Sequence, residues 1–249
     1  GIALARFLVA HGARVVLSDQ RRFEDLLDAR QALADLPPGS LEWVCGGHPL
    51  EMLAGADLVC PSGGVSLDQP LVVQALQRGI PLSNDSQIFL EETPAQVIGI
   101  TGSAGKSTTT SLVGRMAQAA VRGSPAQAWT GGNIGSPLIS VVDEMKVGDL
   151  AVMELSSFQL EIMTRSPQVA AVLNITPNHL DRHSSMGAYT AAKVQILAHQ
   201  SAGEVAVLGR DDPGAWGLKD NVRGKLVSFG SQQVRDMPGT YLKNGTLIL

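Results

Sequence analysis

Val97-Ile98-Gly99-Ile100-Thr101-Gly102-Ser103-Ala104-Gly105-Lys106-Ser107 is the stretch on which the fold turns. Its first five residues, four of them β-branched, read as a buried strand, and the Thr-, Leu-, Val- and Met-containing run from Lys106 onward reads as a helix over 106–120. Between them lies a glycine loop, Gly102, Ser103, Ala104, Gly105, Lys106, Ser107 and Thr108. Amides freed at a helix start point into one concavity and bind phosphate oxygens, Lys106 adds a point charge, and Ser107 can set its hydroxyl on Mg²⁺. The longer form of this motif has glycine where Ile100 stands, so the match is to the GxxGKS core. Binding of a nucleoside triphosphate is the expectation.

Working outward, strands and helices alternate. Ahead of the loop, helices are expected at 2–10, 22–36 and 70–77 and strands at 14–17 and 57–60, with Gly79-Ile80-Pro81-Leu82 leading into another. The chain starts at Gly1 rather than Met and is expected to begin inside a βαβ unit whose first strand and glycine loop precede it. Behind the loop, strands are expected at 150–155, 169–175, 204–208 and 226–229 and helices at 136–145 and 186–199, and Asn244-Gly245 between two short apolar arms predicts a tight hairpin. Glu91-Glu92-Thr93-Pro94 interrupts the pattern with charge and a proline, and is the expected linker. The fold class is therefore α/β: a Rossmann-like domain over 1–92, then a central α/β domain carrying the phosphate loop over 93–249. Ligands of such parallel sheets gather at the carboxyl ends of the strands.

Composition agrees. Hydrophobic residues at 44% against 17% charged exclude a disordered chain, and a net charge of −4 excludes a general basic field and with it broad nucleic-acid binding. No apolar run approaches the ~18 residues that span a bilayer, so no membrane partner and a cytoplasmic location are expected. Cys45 and Cys60 stand apart from each other and from any histidine cluster, and read as two small buried side chains.

Three further segments fall at strand ends. Glu154-Leu155-Ser156-Ser157-Phe158-Gln159-Leu160-Glu161 puts a carboxylate at a strand tip, where Glu154 is a natural Mg²⁺ ligand; Ser156 or Ser157 could equally cap a helix. Thr176-Pro177-Asn178-His179-Leu180-Asp181-Arg182-His183 follows the next strand, with His179 as its candidate ligand. Lys193, within Tyr189-Thr190-Ala191-Ala192-Lys193, reads on its own as a solvated lysine.

Taken in order, the loop 102–107, Gly131-Gly132-Asn133-Ile134-Gly135, the acidic block 154–161, Asn178-His179-Leu180-Asp181-Arg182 and Ala191-Ala192-Lys193 resemble the Mur ligases, over nearly the whole chain. The Glu-Leu-Ser-Ser-Phe-Gln-Leu-Glu block points to the branch that adds D-glutamate to UDP-N-acetylmuramoyl-L-alanine. The resemblance implies that ATP phosphorylates the substrate carboxylate and that the incoming amine then displaces phosphate. It implies catalytic roles for Lys106, Asn133, His179 and Lys193, and metal ligation by Ser107, Glu154, His179 and, if carbamylated by CO₂, Lys193. It also implies substrate contacts for Asn133, Ser157 and Gln159, for Asp19, Gln20 and Arg21 near the uracil, and for Ser62 and Gly63 near the diphosphate. A monomer is expected, lacking the family's third, amino-acid-binding domain, so that 249 residues alone show at most weak nucleotide binding and no ligation. The alternatives are another Mur ligase or a folylpolyglutamate synthase, then a nucleotide-dependent oxidoreductase with Asp19 on a ribose, or a non-catalytic phosphate-loop module.

Overall fold

The computed structural model describes all residues except Ile134, 178–181, Ser184, 234–237 and Leu249, and divides at Asp85/Ser86 into two units. In the first unit, helix α1 (Ile2–Ala10) buries Leu4, Ala5 and Phe7, and the chain turns at Gly12 with φ +84°. Strand β1 (Val15–Asp19), helix α2 (Leu27–Ala32) and strand β2 (Leu41–Cys45) follow, and β1 pairs with β2 in parallel from Val15↔Leu41 to Asp19↔Cys45. The helix expected over 22–36 is instead a 3₁₀ turn, Phe23–Leu26, running into the short α2. Its buried apolar anchors are Leu26 and Leu33, seven residues apart, and the chain leaves helical geometry at Leu33, ahead of Pro37-Pro38.

The strand expected at 57–60 reduces to one parallel bridge, Val59↔Leu82, made by Val59 N to Pro81 O and Ser83 N to Val59 O, each 3.0 Å. Pro61 and Pro81 lack the amides that would lengthen it. Helix α3 (Pro70–Gln77) begins, as expected, with proline in its first turn and buries Val72 and Ala75. Both cysteines are free, but each is half-buried rather than buried, and burial and then the charge of Asp85 push the Cys60 thiol up to about 11.

The second unit opens with helix α4 (Asp85–Glu92), whose first residue closes the first unit, so Glu91-Glu92-Thr93-Pro94 lies at that helix's end. The chain then runs β3 (Gln96–Thr101), α5 (Lys106–Ala120), β4 (Ala128–Gly132), β5 (Leu150–Glu154), α6 (Ser157–Leu160), β6 (Val169–Val172), α7 (Met186–Ala198), β7 (Val205–Gly209), α8 (Pro213–Trp216), β8 (Lys225–Gly230), β9 (Gly239–Lys243) and β10 (Thr246–Ile248). Eight strands make one sheet in the order β10-β9-β8-β7-β6-β3-β5-β4, parallel except for the β9–β10 hairpin. Asn244 and Gly245 both take positive φ in its turn, +50° and +77°, as a two-residue hairpin requires. Val97, Val152, Ala170, Val172, Ala206 and Leu208 are fully buried, in keeping with a sheet covered on both faces.

Two further elements, both in the second unit, differ from expectation. Residues 136–145 form a 3₁₀ segment, Leu138–Glu144, entered from Pro137 and rich in β-branched residues. Strand β4 has no strand signature of its own because it ends in Gly131-Gly132; a Cβ on Gly132 (φ +102°) would lie 2.5 Å from the Glu154 carbonyl oxygen, so only glycine admits this approach. The chain leaves β3 toward β4 and β5 on one side and later returns to β6 on the other. The crevice between those diverging crossovers opens above the carboxyl end of β3, where the phosphate loop begins.

Candidate active site

Gly105, the residue before α5, is left-handed at φ +79° and aims the start of the helix at the loop's concavity. Thr109 N is the first amide to bond back, to Gly105 O at 3.0 Å, so the amides of Lys106, Ser107 and Thr108 lie ahead of the helical ladder. Lys106 Nζ donates to Gly102 O at 3.0 Å and Ser103 O at 3.4 Å. The loop is tied to the segment after β6: Ser103 N donates to Asn174 O (2.9 Å), Ala104 N to Asn174 Oδ1 (2.8 Å), and Asn174 Nδ2 to Ala104 O (3.0 Å). Ser103 Oγ donates to Thr176 O and accepts from Thr176 N, each at 2.9 Å, and lies 3.0 Å from the Tyr189 hydroxyl.

Lys193, read as solvated when taken alone, is fully buried. Its Nζ donates to Gly102 O at 3.1 Å and Thr101 Oγ1 at 3.3 Å, and sits 4.7 Å from the centre of the Tyr189 ring. Two ammonium groups thus converge on one carbonyl oxygen, that of Gly102. Burial first, and the neighbouring Lys106 charge second, bring the Lys193 pKa down to about 7. An amine held there gives up its proton more readily than an ordinary lysine.

Glu154 ends β5, in register with Ile100 of β3 and Gly132 of β4. It is buried; Oε1 accepts from Asn133 Nδ2 at 2.9 Å, while Oε2 has no hydrogen-bond partner among the described residues. An unpartnered buried carboxylate oxygen is costly, and a hard cation beside the phosphate loop would satisfy it. Among the described residues no three His, Cys, Asp or Glu side chains gather around a metal, but Mg²⁺ takes one or two carboxylates and fills its shell from phosphate and water.

Ser156 caps α6 in a capping box with Gln159, whose Nε2 reaches Ser86 Oγ at 2.7 Å; both ends of the Gln159 side chain are thereby held. The Ser157 hydroxyl lies 2.9 Å from Nε2 of the buried His183, whose ring stacks on Phe158 with centroids 5.3 Å apart and leans on Tyr189 at 5.2 Å. His179, with the rest of 178–181, lies outside the described residues. The second unit therefore brings together the loop, Lys106 and Lys193, and sets Glu154 and Asn133 on the adjoining strand ends. Sequence reasoning missed Asn174, Tyr189 and the packing of His183; the position of Asn174 at a strand's carboxyl end was the one available signal.

In the first unit, Asp19 sits at the carboxyl end of β1. Its carboxylate accepts from Arg21 N (2.9 Å), Nε (3.1 Å) and Nη2 (2.8 Å), and hydrogen bonds from the Arg21 side chain, then its backbone, hold the acid down to about 2. Gln20 faces a cavity of about 410 Å³ whose other walls are Gly46, Gly47, His48 and the start of α3 at Gln69–Leu71. His48 Nδ1 is fixed 2.6 Å from Ser18 Oγ, which donates to Gly47 O at 3.0 Å. Ser62 and Gly63 lie in an exposed turn closed by Val65 N to Ser62 O at 2.8 Å.

Residues 100–244 match the family model described as the Mur ligase middle domain, and residues 1–84 match the Mur ligase MurD-like, N-terminal domain. The UDP-N-acetylmuramoylalanine–D-glutamate ligase of Pelotomaculum thermopropionicum is 40% identical over 249 residues, 100% of this chain and 53% of that protein. The protein of the same name from Syntrophotalea carbinolica is 40% identical over 237 residues, 95% of this chain and 51% of that one. The chain spans about half the length of the curated relatives it matches. Among solved structures, UDP-N-acetylmuramate:L-alanyl-γ-D-glutamyl-meso-diaminopimelate ligase from Neisseria meningitides superposes with a TM-score of 0.58 at 17% identity, covering 99% of this chain and 81% of that one. The UDP-N-acetylmuramate–alanine ligase of Thermotoga maritima gives 0.50 at 22%, covering 94% and 51%. These two speak to the fold.

Proposed function

The chain belongs to the Mur ligase family, and from that premise we propose that it carries the nucleotide and UDP-substrate sites of an ATP-dependent ligase that joins D-glutamate to UDP-N-acetylmuramoyl-L-alanine. The choice of D-glutamate follows the names of its relatives at 40% identity. The observation that carries the nucleotide half is Glu154 Oε2, buried and unpartnered, at the strand end next to a loop onto which two lysines converge.

In this reading the amides of α5's first turn and the Lys106 ammonium bind the terminal phosphates of ATP, and Ser107 and Glu154 hold Mg²⁺ against them. The metal would neutralise charge as the phosphoryl group passes between two anions. Asn133 fixes the Glu154 carboxylate through Oε1 and leaves Oε2 for the ion. Once its ammonium has lost a proton, the Lys193 amine can add CO₂ as a carbamate with release of a second proton to solvent, which would turn a cation into an anionic ligand for a second ion, with His179 assigned to the same set. The UDP end of the substrate is assigned to the first unit, with Gln20 and the Asp19–Arg21 pair near the base and Ser62 and Gly63 near the diphosphate. Ser157 and Gln159 are assigned to the substrate or phosphate contacts. A reaction that consumes ATP and a UDP-linked precursor belongs in the cytoplasm.

The test is calorimetric titration of the chain with MgATP and, separately, with UDP-N-acetylmuramoyl-L-alanine. Lys106→Ala should abolish the first and spare the second, and Glu154→Gln should remove the Mg²⁺ dependence of ATP binding. ATP uptake that is equal in wild type and Lys106→Ala would overturn the assignment.

A further inference from the structure

Two amides of the phosphate loop do not face its concavity, because Asn174 holds both. Ser103 N is bonded to the Asn174 carbonyl at 2.9 Å, and Ala104 N to its side-chain oxygen at 2.8 Å, while the side-chain nitrogen returns a bond to Ala104 O at 3.0 Å. An amide N–H can only donate and a carbonyl can only accept, so the orientation of the carboxamide is forced rather than chosen. With Leu173 N to Thr101 O at 3.0 Å, these bonds carry the β3–β6 ladder past the ends of both strands into the loop. Gly102 permits the approach: a Cβ there would stand 3.0 Å from Leu173 Cβ.

We propose that Asn174 is the positioning residue of the phosphate loop. It withdraws the amides of Ser103 and Ala104 from the anion-binding set and fixes the loop so that the terminal phosphates meet Gly105, Lys106, Ser107 and Thr108. The proposal rests on the nucleotide reading above and takes two of the loop's seven amides, those of Ser103 and Ala104, out of the set that binds. A glycine loop ordered before the ligand arrives spares the complex the cost of ordering it on binding. The clamp contributes little to folding, since Ala104 is exposed and water can replace both of its bonds to the side chain.

The experiment is an NMR titration of the ¹⁵N-labelled chain with MgATP, in wild type, Asn174→Ala and Asn174→Gln, alongside amide exchange and thermal unfolding without nucleotide. In the wild type the Ala104 amide should exchange slowly and shift little on titration, while the amides of residues 105–108 shift strongly. Both variants should expose the Ala104 amide and bind MgATP about tenfold more weakly, with unfolding temperatures close to wild type and unchanged binding of UDP-N-acetylmuramoyl-L-alanine. Wild-type affinity in Asn174→Ala, or Ser103 and Ala104 amides that move as far as those of 105–108, overturns the proposal and leaves the nucleotide reading standing. A wild-type chain that takes up no MgATP overturns that reading, and the proposal with it.

Discussion

Replacing Lys193 by methionine should make the protein more stable. Its ammonium is buried against Gly102 O and Thr101 Oγ1, and burial, then Lys106, lowers its pKa from 10.5 to about 7. Between those two values the unfolded chain binds more protons at this lysine than the folded one does. Stability therefore rises with pH across the window and the penalty is complete below about pH 7. The gap corresponds to an upper bound of about 5 kcal/mol at ~1.4 kcal/mol per unit, and relaxation and water entry reduce the effective cost to about 2–4 kcal/mol. Methionine leaves no polar group stranded, because Gly102 O keeps Lys106 Nζ and Thr101 Oγ1 keeps its bond to Leu155 O. Denaturant unfolding in CO₂-free buffers between about pH 6 and 9 should show the variant more stable by that amount near pH 7, with the gap closing by about 1 kcal/mol per unit above it. The corresponding rise in Tm is about 5–10 °C. A gap that does not change with pH, or a variant less stable than wild type at pH 7, would refute the reasoning.

Two further substitutions test the scaffold around the site. Asp149, buried ahead of β5, accepts from Gln127 N (2.8 Å), Trp129 Nε1 (3.0 Å) and Lys146 N (3.1 Å), and Asp149→Ala should cost about 2–4 kcal/mol in denaturant unfolding by stranding these donors. Burial alone would raise its pKa, but the bonds from Trp129, Gln127 and Lys146 outweigh that and lower it. Its contribution is thus present above the ordinary carboxylate range and lost as pH falls through the folded value, so the variant's deficit should shrink on acidification. Gly132→Ala puts a Cβ 2.5 Å from Glu154 O at a φ of +102°, and should cost about 2–3 kcal/mol while weakening MgATP binding more than uridine-side binding. Calorimetry with both ligands checks the second half.

What the sequence made legible was local. The strand, loop and helix around Lys106 follow one another within about twenty-five residues, and each carries its own signal in β-branching, glycine or helical period. Glu154 could be placed at a strand's carboxyl end for the same reason. Strand β4 could not be read, because the glycine-ended Ala128–Gly132 owes its strand state to the partner it lies against rather than to propensity, whereas β2 (Leu41–Cys45) escaped notice although Trp43 and Val44 favour a strand. The clamp and the buried lysine were hidden by separation in sequence: Asn174 meets Ala104 across 70 residues, Tyr189 meets Ser103 across 86, and Lys193 meets Gly102 across 91. Lys193 stood among the candidate ligands only through a family likeness, since nothing in Tyr189-Thr190-Ala191-Ala192-Lys193 says which face of the helix turns inward. Its lowered pKa comes first from burial and then from the charge of Lys106, and both exist only once β3, the loop after β6 and α7 have packed. The lowered pKa of this lysine is accordingly a property of tertiary structure, set by desolvation and by a second cation, and loosening that packing should return it toward that of an ordinary lysine.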